Sequence, residues 1–140
     1  MFPGVASWIQ QDSGDLPKTI VHGDLWPDNC LGDDRQITAL LDWEECGIYP
    51  AIIDVAMTIV AWSLLRDDGL PVEEIVSMYS AVRPLGVEEK NALPSVLVYS
   101  LLMLGLWRYV EHHVRHPDPT RVHRHKEVFN ALREYLAHPL

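Results

Sequence analysis

Asp24, Asn29 and Asp42 are the side chains around which this sequence can do chemistry. Phosphoryl transfer from a nucleotide uses an aspartate that accepts or orients the proton of the attacking hydroxyl. An asparagine one short loop later holds one magnesium ion, and an aspartate beyond a β-hairpin holds the other. The three residues occur here in that order and at that spacing. Two carboxylates and an amide oxygen are hard donors, suited to a Mg²⁺ that keeps several waters and shares its substrate's phosphates.

The elements that must position these groups are readable around them. Thr19-Ile20-Val21 has the character of a strand, and it leaves at His22 into a loop. There Gly23 permits, and Pro27 fixes, the backbone angles that a tight curl needs. The curl turns Asp24 and Asn29 toward one cleft. The apolar run Ile37-Thr38-Ala39-Leu40-Leu41 reads as a buried strand delivering Asp42 to the rim. His22 is expected to serve as an internal hydrogen-bonding prop, and Asp54 to anchor the loop or cap a helix. Glu44 reads equally as a second metal contact or a solvated carboxylate.

The segment His22-Gly23-Asp24-Leu25-Trp26-Pro27-Asp28-Asn29, followed by Leu41-Asp42-Trp43-Glu44, resembles the aminoglycoside phosphotransferase and choline kinase superfamily. The hallmark there is His-Gly-Asp-x-x-x-x-Asn, then Ile/Leu-Asp-Trp/Phe. Ile53-Asp54-Val55-Ala56 stands where that superfamily has Tyr-Asp-Leu-Ala opening a helix. The Leu25 to Asn29 wording and Tyr79-Ser80-Ala81-Val82-Arg83-Pro84-Leu85 are most similar to the homoserine kinase-like branch. The resemblance implies an α+β, mainly α fold: the C-terminal lobe of a protein-kinase-like fold, with a small β-hairpin carrying the catalytic loop packed on a helical bundle. It further implies ATP as phosphate donor, Mg²⁺ as cofactor, Asp24 as catalytic residue, and Asn29 and Asp42 as metal ligands, with His22 and Asp54 in support. The acceptor it implies is a hydroxyl of a small polar molecule. Homoserine or a related amino alcohol comes first, ahead of an aminoglycoside or a choline-like amine.

An enzyme of that kind also has an N-terminal lobe, whose glycine-rich loop covers the phosphates and whose strand lysine holds them. Ahead of His22 this sequence offers one lysine, Lys18, and no GxGxxG. Residues 1–140 are therefore expected to be a single C-terminal catalytic lobe without the nucleotide lobe: a fragment, a truncated product or half of a split enzyme, which alone is expected to bind nucleotide poorly and to turn over little or not at all. Besides a small-molecule substrate, the expected partner is a separate N-terminal lobe, or a second copy covering the open interlobe face where Trp26 or Trp43 would lie exposed.

Composition bounds the alternatives. A chain of 140 residues, 48% hydrophobic and 22% charged, suits one globular domain with a real core. A net charge of −9 argues against nucleic-acid binding, which needs a cationic surface. Cys30 and Cys46 form no disulfide framework, and Met1-Phe2-Pro3-Gly4 does not open a signal peptide, so a cytoplasmic setting is expected. The charge-poor stretch from Cys46 to Leu65 contains Pro50 and a central Asp54. An aspartate there costs about 2.5–3.5 kcal/mol in a bilayer, which favours a buried core helix over a membrane span.

Downstream, the patterning predicts helices near Ala51–Leu65, Val72–Val82, Glu88–Val114 and Pro119–Leu136, and a helix end from Val5 to Gln11. Leu97, Val98, Leu101 and Leu104 form a core stripe. Asp118-Pro119 reads as an N-cap with an N1 proline, placing Val122, Val128, Phe129, Leu132 and Leu136 inward. His112, His113, His116, His123 and His125, with Arg115, Arg121 and Arg124, read as a basic polar face or packing residues rather than a metal site, because Pro117 ends the helix that His112 and His116 would share. Two competing functions remain: a non-catalytic remnant or binding module that keeps the lobe's fold, and, more remotely, a metal-dependent phosphohydrolase built on the histidines.

Overall fold

The computed structural model describes residues 16–33 and 35–139; the helix end expected from Val5 to Gln11 lies outside them. Strand β1 (Lys18–Val21) pairs antiparallel with β4 (Gly47–Pro50), Thr19 facing Tyr49 and Val21 facing Gly47. Between them β2 (Cys30–Gly32) and β3 (Ile37–Leu40) form a second antiparallel pair, with a break in register between Leu31 and Gly32. The Asp33 carboxylate closes that hairpin by accepting hydrogen bonds from the backbone N–H groups of Arg35 and Gln36, the local turn chemistry favoured by aspartate.

The expectation of a buried β3 is corrected. Ile37 is 65% exposed, and Leu41 just beyond the strand is 41% exposed. A two-stranded ribbon whose main packing is its own pairing buries neither face, whatever the apolarity of its sequence.

The helices follow the predicted order. Helix α1 (Ile52–Ile59) runs into a wider π turn (Val60–Leu64), and α2 (Val72–Val82) has the bounds its periodicity suggests. Helix α3 (Val87–Val110) widens into a second π turn (Glu111–Arg115) before Pro117, and α4 (Arg124–Ala137) closes the chain. The predicted start of this last helix at Asp118 is corrected. Asp118 caps there, accepting from the Thr120 N–H at 2.9 Å, but the turn it caps runs out before α4 begins.

The core lies between α1, α3 and α4. Ile52, Val55, Ala56 and Ile59 face Leu93, Val96, Leu97 and Leu101, with Val128, Ala131 and Tyr135 completing it. Leu97 and Leu101 are fully buried, each contributing about 1.5–3 kcal/mol relative to exposure. Val98, Leu104 and Leu132 pack at its margin. Leu136, expected inside, is 60% exposed because it falls off the Val128–Ala131–Tyr135 stripe. At Gly105 the helices approach closely: a Cβ there would lie 2.5 Å from the Phe129 ring.

The helical run Val87–Arg115 is long and apolar enough, by length and composition alone, to cross a membrane, a test that core helices also pass. Here it carries buried Glu89 and Arg108. Glu89 accepts from Arg83 and from the Gly86 N–H, both at 2.9 Å, capping the helix start. The architecture is α+β and mainly α, a helical core with two small antiparallel ribbons.

Candidate active site

The loop that leaves β1 is fastened at its first two residues. Asp54, in the first turn of α1, accepts hydrogen bonds from the backbone N–H of His22 at 2.7 Å and of Gly23 at 2.9 Å. Both carboxylate oxygens are thus spent on the loop's backbone. Helix α1 follows β4 with only Ala51 between, so its first turn folds back over the β1–β4 ribbon to reach the loop.

His22, 3% exposed, ties the same loop to the segment carrying Asp42. Its Nε2 lies 2.7 Å from the Leu41 carbonyl, and its Nδ1 accepts from the Asp24 N–H at 3.3 Å. Those two partners require the proton on Nε2. The ring also packs on Trp43, with centroids 4.7 Å apart. The hairpin adds a further link, the Leu41 N–H donating to the Asn29 carbonyl at 2.8 Å.

Within the loop, Asn29 Nδ2 donates to the Asp24 carbonyl at 2.9 Å and to Asp24 Oδ2 at 3.3 Å. This orientation leaves Asn29 Oδ1 as an open acceptor. Asp42 has φ 60° and ψ 62°, the one non-glycine residue with positive φ among the described residues. Left-handed geometry costs an ordinary residue about 1–2 kcal/mol, although aspartate tolerates it better than most. The strain presents an exposed carboxylate at the start of the turn Trp43–Glu45. Gly23, at φ 84°, abuts this turn: a Cβ on it would stand 2.6 Å from the Glu45 carbonyl oxygen.

Burial raises the pKa of Asp24 above the ordinary carboxylate value, and the negative charge of Asp42 adds to the effect. Hydrogen bonding by Asn29, the nearby His22 ring and the Trp26 side chain pull the other way. A carboxylate whose affinity for a proton is raised this way is better matched to taking one from a hydroxyl near neutral pH.

The loop therefore brings Asp24 and Asn29 into hydrogen-bond contact and sets Asp42 within electrostatic reach of Asp24. Glu44 is exposed on the turn beyond, and Asp54 acts beneath the loop rather than in the cleft. Among the described residues no three His, Cys, Asp or Glu side chains group to hold a metal ion. The donors near Asp24 fit a Mg²⁺ that completes its shell with water and phosphate oxygens: an acceptor on Asn29 and a carboxylate on Asp42.

The histidines lie in other arrangements. His116 pairs with Glu111 at 2.6 Å, His113 stacks on Tyr109 at 4.4 Å, and His123 lies 3.7 Å from Glu127. One residue near the site escaped the sequence reading. The Arg108 guanidinium, on α3, stands 5.7 Å from the centroid of the Trp26 ring. Its signal was a single cation inside the apolar run Leu101–Val110.

Residues 5–87 match the model of the phosphotransferase enzyme family (APH), a span that takes in β1, the loop, both ribbons, α1 and α2. The chain belongs to that family. Among similar proteins, this phosphotransferase-family chain is 30% identical to a homoserine kinase of Mesorhizobium japonicum, over 94% of the chain and 47% of the relative. It is 26% identical to a homoserine kinase of Polaromonas naphthalenivorans, over 89% of the chain and 41% of the relative. A homoserine kinase of Xanthobacter autotrophicus is 33% identical, over 76% of the chain and 33% of the relative. The chain thus spans less than half the length of these relatives.

Proposed function

We propose that the chain is the C-terminal lobe of a protein-kinase-like phosphotransferase that moves the γ-phosphate of ATP to a hydroxyl of a small polar molecule, homoserine or a related amino alcohol first. One observation carries the reading: Asp24 is bonded to Asn29, raised in pKa partly by Asp42, and held in a loop clamped by Asp54 and His22. The names of the relatives support the choice of acceptor.

In this reading Asp24 orients the acceptor hydroxyl and takes its proton on a carboxylate oxygen. Asn29 keeps that carboxylate aimed and, with Asp42, would hold Mg²⁺, which when bound neutralises charge on the β and γ phosphates. His22 and Asp54 hold the loop in shape before any ligand arrives, so little reorganisation is needed at the moment of transfer. The glycine-rich loop and lysine that cover the phosphates would be supplied by sequence beyond these residues or by a second chain. Free thiols at Cys30 and Cys46 suit a cytoplasmic setting.

The test assays ADP formation with homoserine in the complete open reading frame that contains this chain. Asp24→Ala is expected to lower turnover by about 10²–10⁴-fold. Turnover unchanged in that variant would refute the role of Asp24.

A further inference from the structure

Arg108 is 8% exposed, yet it has little to satisfy a buried cation. Its Nη1 donates to the Arg124 carbonyl at a long 3.3 Å and lies 3.6 Å from Glu127, whose side chain is 55% exposed. Its further stabilising contact with a side chain is the face of Trp26, 5.7 Å from the guanidinium carbon to the ring centroid. A guanidinium has five N–H donors in a planar fork, and one long hydrogen bond with one solvent-screened ion pair uses little of that capacity. Burial and the neighbouring charge of Arg124 lower its pKa, so an additional anion would find it under-compensated.

Its place is as telling as its state. Trp26 is two residues past Asp24, its N–H donates to the Asp24 carbonyl at 3.0 Å, and its side chain bears on the Asp24 carboxylate. The indole therefore stands with the candidate base on one side and the Arg108 guanidinium on another. The phosphate-directed groups, Asn29 and Asp42, belong to the loop and the hairpin end. Arg108 instead enters from the helical core.

We infer that Arg108 is the recognition residue for a carboxylate on the acceptor, binding it through the guanidinium fork beside Trp26 while the acceptor's hydroxyl meets Asp24. This rests on the reading of Asp24 as the acceptor-side base and narrows the acceptor to hydroxy acids. An amino alcohol without a carboxylate lacks the group that Arg108 receives. A bidentate guanidinium–carboxylate pair in a partly dry site discriminates strongly against a ligand lacking the anion.

The experiment measures calorimetric binding of two probes, homoserine and 3-aminopropan-1-ol, which differ only in the carboxylate. Wild type is expected to favour homoserine by about 10- to 100-fold, and Arg108→Met to abolish that preference while leaving the weaker 3-aminopropan-1-ol binding unchanged. Glu127→Gln removes the competing carboxylate without touching the guanidinium and is expected to keep or tighten homoserine binding, which guards against Arg108→Met failing to fold. Equal affinities in wild type, no homoserine binding at all, or a variant that weakens both probes equally would overturn the inference, as would Arg108→Met weakening ATP alone. If the carboxylate preference holds but homoserine draws no ADP formation in the Asp24 assay, the phosphotransfer reading fails and the recognition role of Arg108 stands.

Discussion

Replacing Asp54 by asparagine alters one atom and should cost the loop its anchorage. The wild-type carboxylate accepts two backbone N–H groups, at 2.7 and 2.9 Å. An asparagine offers one oxygen and one NH₂, so one loop N–H keeps an acceptor while the other faces a second donor. A hydrogen bond to a charged group contributes about 1.5–3 kcal/mol, and an orphaned donor adds its desolvation cost, giving a loss of about 2–3 kcal/mol. For 140 residues, with about 2.1 cal/mol/K of unfolding entropy per residue, that lowers Tm by about 7–10 °C. Calorimetry and urea denaturation, with the m-value checked for constancy, measure it. Phosphate transfer should fall as well, because the same two bonds shape the loop carrying Asp24. Glu44→Gln, on an exposed carboxylate, is the control and should stay within about 0.5 kcal/mol of wild type. An Asp54→Asn protein melting within about 2 °C of wild type would refute the clamp.

Asp24→Asn should lower transfer by about 10²–10⁴-fold while leaving the fold at least as stable as wild type near neutral pH, since it removes a charge disfavoured by burial and by Asp42. Because the folded pKa of Asp24 lies above its unfolded value, the wild-type penalty is absent at acid pH and grows as pH rises through the folded pKa. The advantage of the variant should therefore appear near neutrality and vanish in acid, read from melting curves across pH. Gly23→Ala puts a Cβ 2.6 Å from the Glu45 carbonyl at a φ of 84°, and should lower stability by more than about 1 kcal/mol along with activity, read by paired melting and ADP assays. Gly105→Ala drives a methyl into the Phe129 ring and should cost about 1–3 kcal/mol by urea denaturation, with ADP formation in the folded fraction unchanged.

What could be read in advance followed from local chemistry. The loop from His22 to Asn29 and the aspartate after β3 were legible because glycine, proline and the acidic residues constrain the backbone through short-range effects. Helix α2 and the Leu97–Leu101 stripe were legible because burial imposes helical periodicity on one face. The exposure of Ile37 was not, since an apolar run announces a strand without saying whether another layer covers it. Nor was the late start of α4, where the Asp118 cap serves a turn that a helix pattern also fits. Arg108 was invisible for a different reason: its partner Trp26 lies far away in sequence, and only packing of α3 near the loop reveals the pair.

The β1–β4 pairing gives the segment from His22 to Cys46 a neck, since Val21 and Gly47 face each other at its base. All three proposed transfer groups hang from that neck as one closed excursion, joined to the helices by the Asp54 carboxylate beneath it, the Arg108 guanidinium beside it and the packing of Trp26 on the core. Closing such a loop costs only slowly more as it lengthens. The excursion can therefore gain or lose residues in its outer hairpin, around Asp33 to Gln36, without moving its ends. Transplanting it between relatives as a cassette requires carrying over the neck pair, the clamp, the cation and the core surface under Trp26, and would separate inheritance of the transfer chemistry from inheritance of the rest of the helical core.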